Sequence, residues 1–227
     1  MSYLVEILKY VVGPLETNCY VVIDRSLAVV IDPGWYEEIN FIINDLRSRS
    51  VAIDSIIATH GHFDHVSGVR ELKKLTDARF LINKKDLSIM KRAPYMAKYF
   101  LGIETPEPPQ PDLFIAEGDL VKLNNVILRI IETPGHTKGS VSIILEPLDK
   151  KYSGRVVVFT GDTLFKESIG RIDFPESDPS EMIRSLRRLA ELPKETMVYP
   201  GHGPETSIEY ELRHNYFFIK ALREGVF

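Results

Sequence analysis

Five of the six histidines fall in three short motifs, and each motif directly follows an apolar run of strand character. The motifs are Thr59-His60-Gly61-His62-Phe63-Asp64-His65, Thr133-Pro134-Gly135-His136 and Tyr199-Pro200-Gly201-His202-Gly203. Between the last two lies Thr160-Gly161-Asp162-Thr163, also at the end of an apolar run. Three of these motifs set a glycine immediately before the polar residue, where the backbone can turn without a Cβ clash. A chain so patterned points to a fold in which strand ends more than a hundred positions apart meet at one sheet edge.

The remaining composition narrows the class. With 227 residues, 44% apolar and 26% charged, the length suits one large domain and excludes long disorder or low complexity. A lone cysteine, Cys19, excludes an intramolecular disulfide and a cysteine-based zinc ribbon, and fits a reducing compartment, here the cytoplasm. No apolar run approaches the roughly 20 residues that span a bilayer. Residues 1–9, with Glu6 inside the apolar stretch, read as structured sequence and not as a signal peptide. A net charge of −4, from 28 basic against 32 acidic side chains, argues against a nucleic-acid partner.

Strand-like segments at 3–8, 19–23 and 27–31 come first, then a helix over 37–48 predicted from Ile39, Ile42, Ile43 and Leu46 at helical spacing. A short strand at 55–58 leads into the first histidine motif, followed by a helix through Val69, Leu72 and Leu75. A strand at 79–82, a helix over 84–101 and a proline-rich stretch at 104–111 complete the first half. The second half reads as strands at 120–123, 126–131, 140–145 and 156–160, a helix at 179–192, a strand at 197–199 and a last helix at 208–222. Two β-rich halves, each with flanking helices and no linker between them, predict an α+β chain. Its two mixed sheets are expected face to face with helices outside, in a single domain over 1–227.

Imidazole and carboxylate together, without thiolate, suit catalytic Zn²⁺, Fe²⁺ or Mn²⁺ and not a structural zinc clamp. His60 and His62 alternate by two, so in an extended stretch both rings point one way. Asp64 and His65 sit where the chain turns into a helix and can face a second ion. Seven candidate ligands, His60, His62, Asp64, His65, His136, Asp162 and His202, exceed one tetrahedral ion but serve two if one carboxylate bridges. Two ions roughly 3.5–4 Å apart can hold an activated water at neutral pH. A solitary histidine is more often a surface or capping residue, whereas His-x-His-x-Asp-His in an ordinary turn would be costly to desolvate.

The run 59–65 with Gly-His136, Gly-Asp162 and Gly-His202 resembles the full signature of the metallo-β-lactamase superfamily. The resemblance implies an αββα sandwich with a two-metal site, most simply two Zn²⁺ with Fe²⁺ or Mn²⁺ as alternatives. It further implies that His60, His62 and His136 hold the first ion, that Asp64, His65 and His202 hold the second, and that Asp162 bridges. Within the superfamily, residues 161–165, the run 168–174, and 201–206 followed by Glu211 and Asn215 resemble the glyoxalase II-like branch. That branch implies a binuclear, metal-dependent, thioesterase-like hydrolase, whose small-molecule substrate is a thioester or glutathione-type conjugate attacked by a metal-bridging hydroxide. Asp64 would orient that hydroxide.

Two departures from the branch are visible. Arg171 and Asp173 stand where its loop carries Lys and Tyr, and with 25 residues after His202 the extra C-terminal helical domain of that branch is not expected. The Gly-Arg-x-Asp-Phe form at 170–174 also resembles persulfide dioxygenases, which use a single iron, so oxidation of a persulfide is the alternative activity. A non-catalytic metal-binding protein of the same fold is a third reading, which the complete ligand set argues against. Arg171 could take a substrate carboxylate through its guanidinium fork or pair with Asp173 or Asp178. Asp32, before Pro33, could orient an imidazole or form an Asx turn. The basic, aromatic segment 84–101 reads as a solvated helix pair, with a lid receiving an anionic acyl carrier as the alternative. Cys19 is expected in the core and His214 outside the ligand set.

Overall fold

The computed structural model describes residues 5–148 and 156–225, which fall into two compact units. The first unit comprises residues 5–115 with Lys122–Val126, and the second Ala116–Val121 with the residues from Ile127 on.

The first unit runs β1 (Glu6–Val12), β2 (Thr17–Asp24), β3 (Leu27–Ile31), α1 (Ile39–Ser48), β4 (Ala52–Ile57), α2 (Phe63–Val66), α3 (Val69–Leu75), β5 (Arg79–Asn83), a 3₁₀ turn (Lys84–Asp86), α4 (Leu87–Lys91), α5 (Ala93–Leu101) and β6 (Leu113–Ile115). Its six strands form one mixed sheet in chain order, antiparallel through β1, β2 and β3 and parallel from β3 to β6. Every residue of β2 is buried, as expected of a strand with neighbours on both edges and cover on both faces. Parallel neighbours need crossovers, and α1 and the α2–α3 pair supply the first two. The C-terminal ends of β3, β4 and β5 therefore lie side by side, with Ile31 opposite Ile57 and Ile57 opposite Leu81. This alignment sets Asp32, Thr59 and the turn at Asp86 at one edge.

The predicted stripe of α1 is buried, Ile39, Ile42, Ile43 and Leu46 packing into the core beside Val30, Ile56 and Phe80. Of the strand expected at 3–8, Tyr3 and Leu4 lie outside the described residues. The strand itself continues to Val12, because its pairing with β2 holds register from Glu6–Ile23 to Val12–Thr17. The single helix expected over 84–101 is three short pieces: Pro94 lacks an N–H and starts α5 afresh, and Gly102 in the left-handed region (φ 71°) ends it.

The second unit runs β7 (Leu120–Lys122), β8 (Val126–Glu132), β9 (Val141–Pro147), β10 (Val157–Gly161), β11 (Leu164–Phe165), β12 (Ser168–Ile169), α6 (Pro179–Ala190), β13 (Met197–Pro200), β14 (Thr206–Ser207), α7 (Ile208–His214) and α8 (Tyr216–Arg223). Its main sheet has the order β14-β13-β10-β9-β8-β7, with β10 and β13 parallel and β11–β12 a separate small hairpin. Met182, Leu186 and Leu189 of α6 meet Val158, Val198 and Phe218 in the core of this unit. The last helix, expected unbroken over 208–222, divides at Asn215, whose backbone is extended while its side-chain oxygen caps the N–H of Phe218. Among the described residues no helix is long and apolar enough to cross a membrane.

Candidate metal centre

In the first unit the histidine motif leaves β4 as a turn, with His62 extended (φ −69°, ψ 150°) just before the short helix α2. His60 and His62 still converge, His60 Nε2 standing 3.1 Å from His62 Nδ1. His60 and His65 are fully buried and Asp64 nearly so. Asp32, held at φ 50°, gathers this side. Its Oδ1 accepts the backbone N–H of Thr59 at 2.7 Å, and its Oδ2 accepts the Thr59 hydroxyl at 2.7 Å. The same Oδ2 lies 3.0 Å from His65 Nδ1. Its carboxylate is thus engaged at Thr59 and lies beside the His65 ring.

The His65 ring lies between two carboxylates, with Nδ1 3.0 Å from Asp32 Oδ2 and Nε2 3.4 Å from Asp64 Oδ2. The Thr59 hydroxyl gives its proton to Asp32, so its oxygen accepts from His60 Nδ1 at 3.1 Å, and Nε2 of His60 presents a lone pair. Thr17 Oγ1 donates to Asp64 Oδ2 at 3.2 Å. The buried Asp86 accepts the N–H of Gly61 at 2.9 Å and so pins the turn between His60 and His62.

The second unit builds a matching cluster. Gly161 of β10 and Pro200 of β13 are parallel partners, and the N–H of Gly201 donates to the carbonyl of Gly161 at 2.9 Å. That pairing brings Asp162 and His202 to the same end of the sheet, with His202 Nε2 3.7 Å from Asp162 Oδ2. His136 Nε2 approaches the same oxygen at 3.6 Å. His136 Nδ1 donates to the carbonyl of Arg171 at 2.9 Å, which leaves Nε2 as a lone pair. Two glycines make room here. A Cβ on Gly135 would lie 2.4 Å from Met182 Cα, and one on Gly170 only 1.7 Å from the carbonyl oxygen of Asp162.

In each unit, then, imidazole Nε2 stands 3.4–3.7 Å from a carboxylate oxygen, with His65 and His136 buried and His202 half-buried. This grouped nitrogen–oxygen set without thiolate fits a divalent cation of the Zn²⁺, Fe²⁺ or Mn²⁺ kind. The first unit brings together His60, His62, Asp64 and His65, and the second brings together His136, Asp162 and His202.

The Arg171 guanidinium pairs with Asp173 through two bonds of 2.9 and 2.8 Å and lies 4.1 Å over the Phe174 ring, largely exposed. Asp173 holds the arginine's pKa above its ordinary value. His214 is exposed and lies tilted against the Tyr210 ring, outside the ligand clusters. Cys19 is fully buried, and desolvation pushes its thiol pKa well up. Sequence reading missed Thr17, Asp86 and the backbone carbonyl of Arg171. Only Asp86 carried a signal, as an acid in a segment otherwise basic.

Known proteins share this arrangement of elements. Hydroxyacylglutathione hydrolase GloC of Haemophilus influenzae is 34% identical over 210 residues, covering 91% of this chain and 94% of its own. The crystal structure of TTHA1623 in a di-iron-bound form matches with a TM-score of 0.80 and 34% identity, over 92% of this chain and 99% of that one. The structure of ETHE1 from Myxococcus xanthus matches with a TM-score of 0.75 and 26% identity, over 96% and 90% of the two chains. Residues 12–202 fit the model of the metallo-beta-lactamase superfamily, and the chain belongs to that superfamily, with its α+β fold of two mixed sheets and their helices.

Proposed function

We propose that the protein is a binuclear metal-dependent hydrolase of thioesters of the hydroxyacylglutathione kind, working in the cytoplasm. His60, His62 and His136 would hold one ion, Asp64, His65 and His202 the other, and Asp162 would serve both. The observation that carries this reading is the pair of oriented lone pairs: His60 and His136 each have Nδ1 fixed by an oxygen acceptor, so each turns Nε2 to the ligand cluster. The likeness to a hydroxyacylglutathione hydrolase and to a di-iron-bound protein supports it.

Bound there, divalent ions supply Lewis acidity, lowering the pKa of water to about 7 and polarising a carbonyl. Asp64, steadied by Thr17, orients the attacking water through a hydrogen bond. Water adds to the thioester carbonyl, the C–S bond breaks with its electron pair going to sulfur, and a carboxylate and a thiol are released. A thiolate leaves with little protonation, which suits a site whose histidines are committed to their Nδ1 acceptors. Arg171, exposed beside His136, is the side chain proposed to meet a carboxylate of the substrate.

A second reading is a mononuclear iron persulfide dioxygenase. The run 170–174 and the likeness to ETHE1 favour it. Metal analysis of protein purified without chelator, together with thiol release from a hydroxyacylglutathione and oxygen uptake with glutathione persulfide, separates the two. Two ions per chain with thiol release is the expected result. One iron per chain with oxygen uptake replaces the first reading by the second, and neither activity overturns both.

A further inference from the structure

Glu211 is fully buried on α7, and its contacts reach two ligand-bearing segments at once. Its Oε1 accepts the Thr206 hydroxyl at 2.5 Å, four residues after His202. Its Oε2 accepts the backbone N–H of Glu167 at 2.8 Å, five residues after Asp162, at the tip of the β11–β12 hairpin. The same Oε2 accepts from Asn215 Nδ2 at 2.8 Å. That amide also donates to the carbonyl of Ser168 at 2.9 Å, so the hairpin is gripped from both its tip residues. Glu167 takes a left-handed backbone (φ 58°), a conformation that a side chain with a Cβ adopts only when its surroundings impose it. Among the described residues three neutral donors, the Thr206 hydroxyl, the Glu167 N–H and the Asn215 amide, converge on this buried carboxyl, and burying it without them would be costly.

Resting on the metal-hydrolase reading above, we infer that Glu211 is a positioning residue: it ties the hairpin after Asp162 to the loop after His202 and so holds the two ligands at their separation of 3.7 Å. The tie lies outside the ligands themselves. On the ligand side the same two segments are joined by the backbone bond from Gly201 to Gly161, and Glu211 closes the far side. Release of the carboxylate frees the hairpin and the His202 loop to move apart, leaving Asp162 and His202 as separate donors and not as one preformed pair.

The test is chelator competition with Zn²⁺ alone on metal-free wild type, Glu211→Ala, Glu211→Gln and Thr206→Val, beside thermal melts of each with and without Zn²⁺. The wild type is expected to bind two ions, and Glu211→Ala to bind at least one of them roughly 10–100-fold more weakly, the range for loss of an outer partner of a ligand. Glu211→Gln keeps one acceptor but sets an N–H against a donor, so its loss is smaller, and Thr206→Val, which removes one donor, is smaller again. A folded Glu211→Ala with wild-type affinity for both ions overturns the inference, as does a melting loss equal with and without Zn²⁺ at unchanged affinity. If Glu211→Ala fails to fold, Thr206→Val decides, and wild-type affinity there is the overturning result. A wild type that binds no Zn²⁺ fails before any substitution and removes the hydrolase reading, and this inference with it.

Discussion

Replacing Asp32 by asparagine keeps the shape of the side chain and suits its left-handed backbone, yet it removes one of the two acceptor oxygens that meet Thr59 and His65 in a buried cluster. Asp32 accepts from the Thr59 N–H and the Thr59 hydroxyl, and its Oδ2 lies 3.0 Å from His65 Nδ1. An amide offers one acceptor oxygen, so whichever way it turns, an N–H points at a donor. A buried donor left without an acceptor costs about 1–3 kcal/mol. In a protein of this length that lowers Tm by roughly 2–12 °C. The second effect falls on His65. With an amide N–H facing Nδ1, the neutral ring relieves the clash by moving its hydrogen to Nε2, the atom turned to Asp64. A protonated Nε2 cannot ligate, so metal affinity falls by about 10–100-fold, and each factor of ten is about 1.4 kcal/mol. The assay is a melt of the metal-free protein paired with chelator competition. Asparagine that lowers Tm while leaving both ions at wild-type affinity would refute the tautomer argument, because it would show that His65 ligates however Nδ1 is satisfied.

His62→Ala removes a ligand outright, and both bound metal and thioester hydrolysis should drop by more than about tenfold together; metal analysis beside a rate assay checks it, and a variant near wild type in either contradicts the assignment. Asp64→Asn, assayed at saturating metal, should lower kcat by roughly 10²–10⁴-fold, and equal turnover would remove the water-orienting role. Asp178 caps α6, accepting from the Ser180 hydroxyl and the Ser180 and Glu181 N–H groups, and the Ser180 side chain first among these holds its carboxyl below the ordinary carboxylate pKa. A folded pKa lower than the unfolded one contributes stability that is present above the ordinary carboxylate range and is lost as pH falls through the lowered value. Asp178→Ala should therefore lower Tm at pH 7 and leave it nearly unchanged well below the carboxylate range, which melts at the two pH values test.

The histidine clusters were legible because they are local: a polar motif at the end of an apolar strand shows in the order of residues, as do the stripe of α1 and the proline-rich stretch. Helix breaks were less legible. Pro94 at the first turn of α5 and Asn215 between α7 and α8 each suit two outcomes by propensity, and the choice fell to packing and to the cap at Phe218. The supports of the site were not legible at all. Thr17 reaches Asp64 across 47 positions, and Glu167 reaches Glu211 across 44. Asp86 reaches Gly61 across 25, and His136 is oriented by a main-chain carbonyl 35 residues away. Periodicity tells which face of an element is apolar, not which distant donor a carboxylate will meet. The residue types alone thus determined what chemistry the chain can do with a cation. Strand pairing, by aligning the ends of β3 with β4 and of β10 with β13, decided which of those side chains stand together to do it.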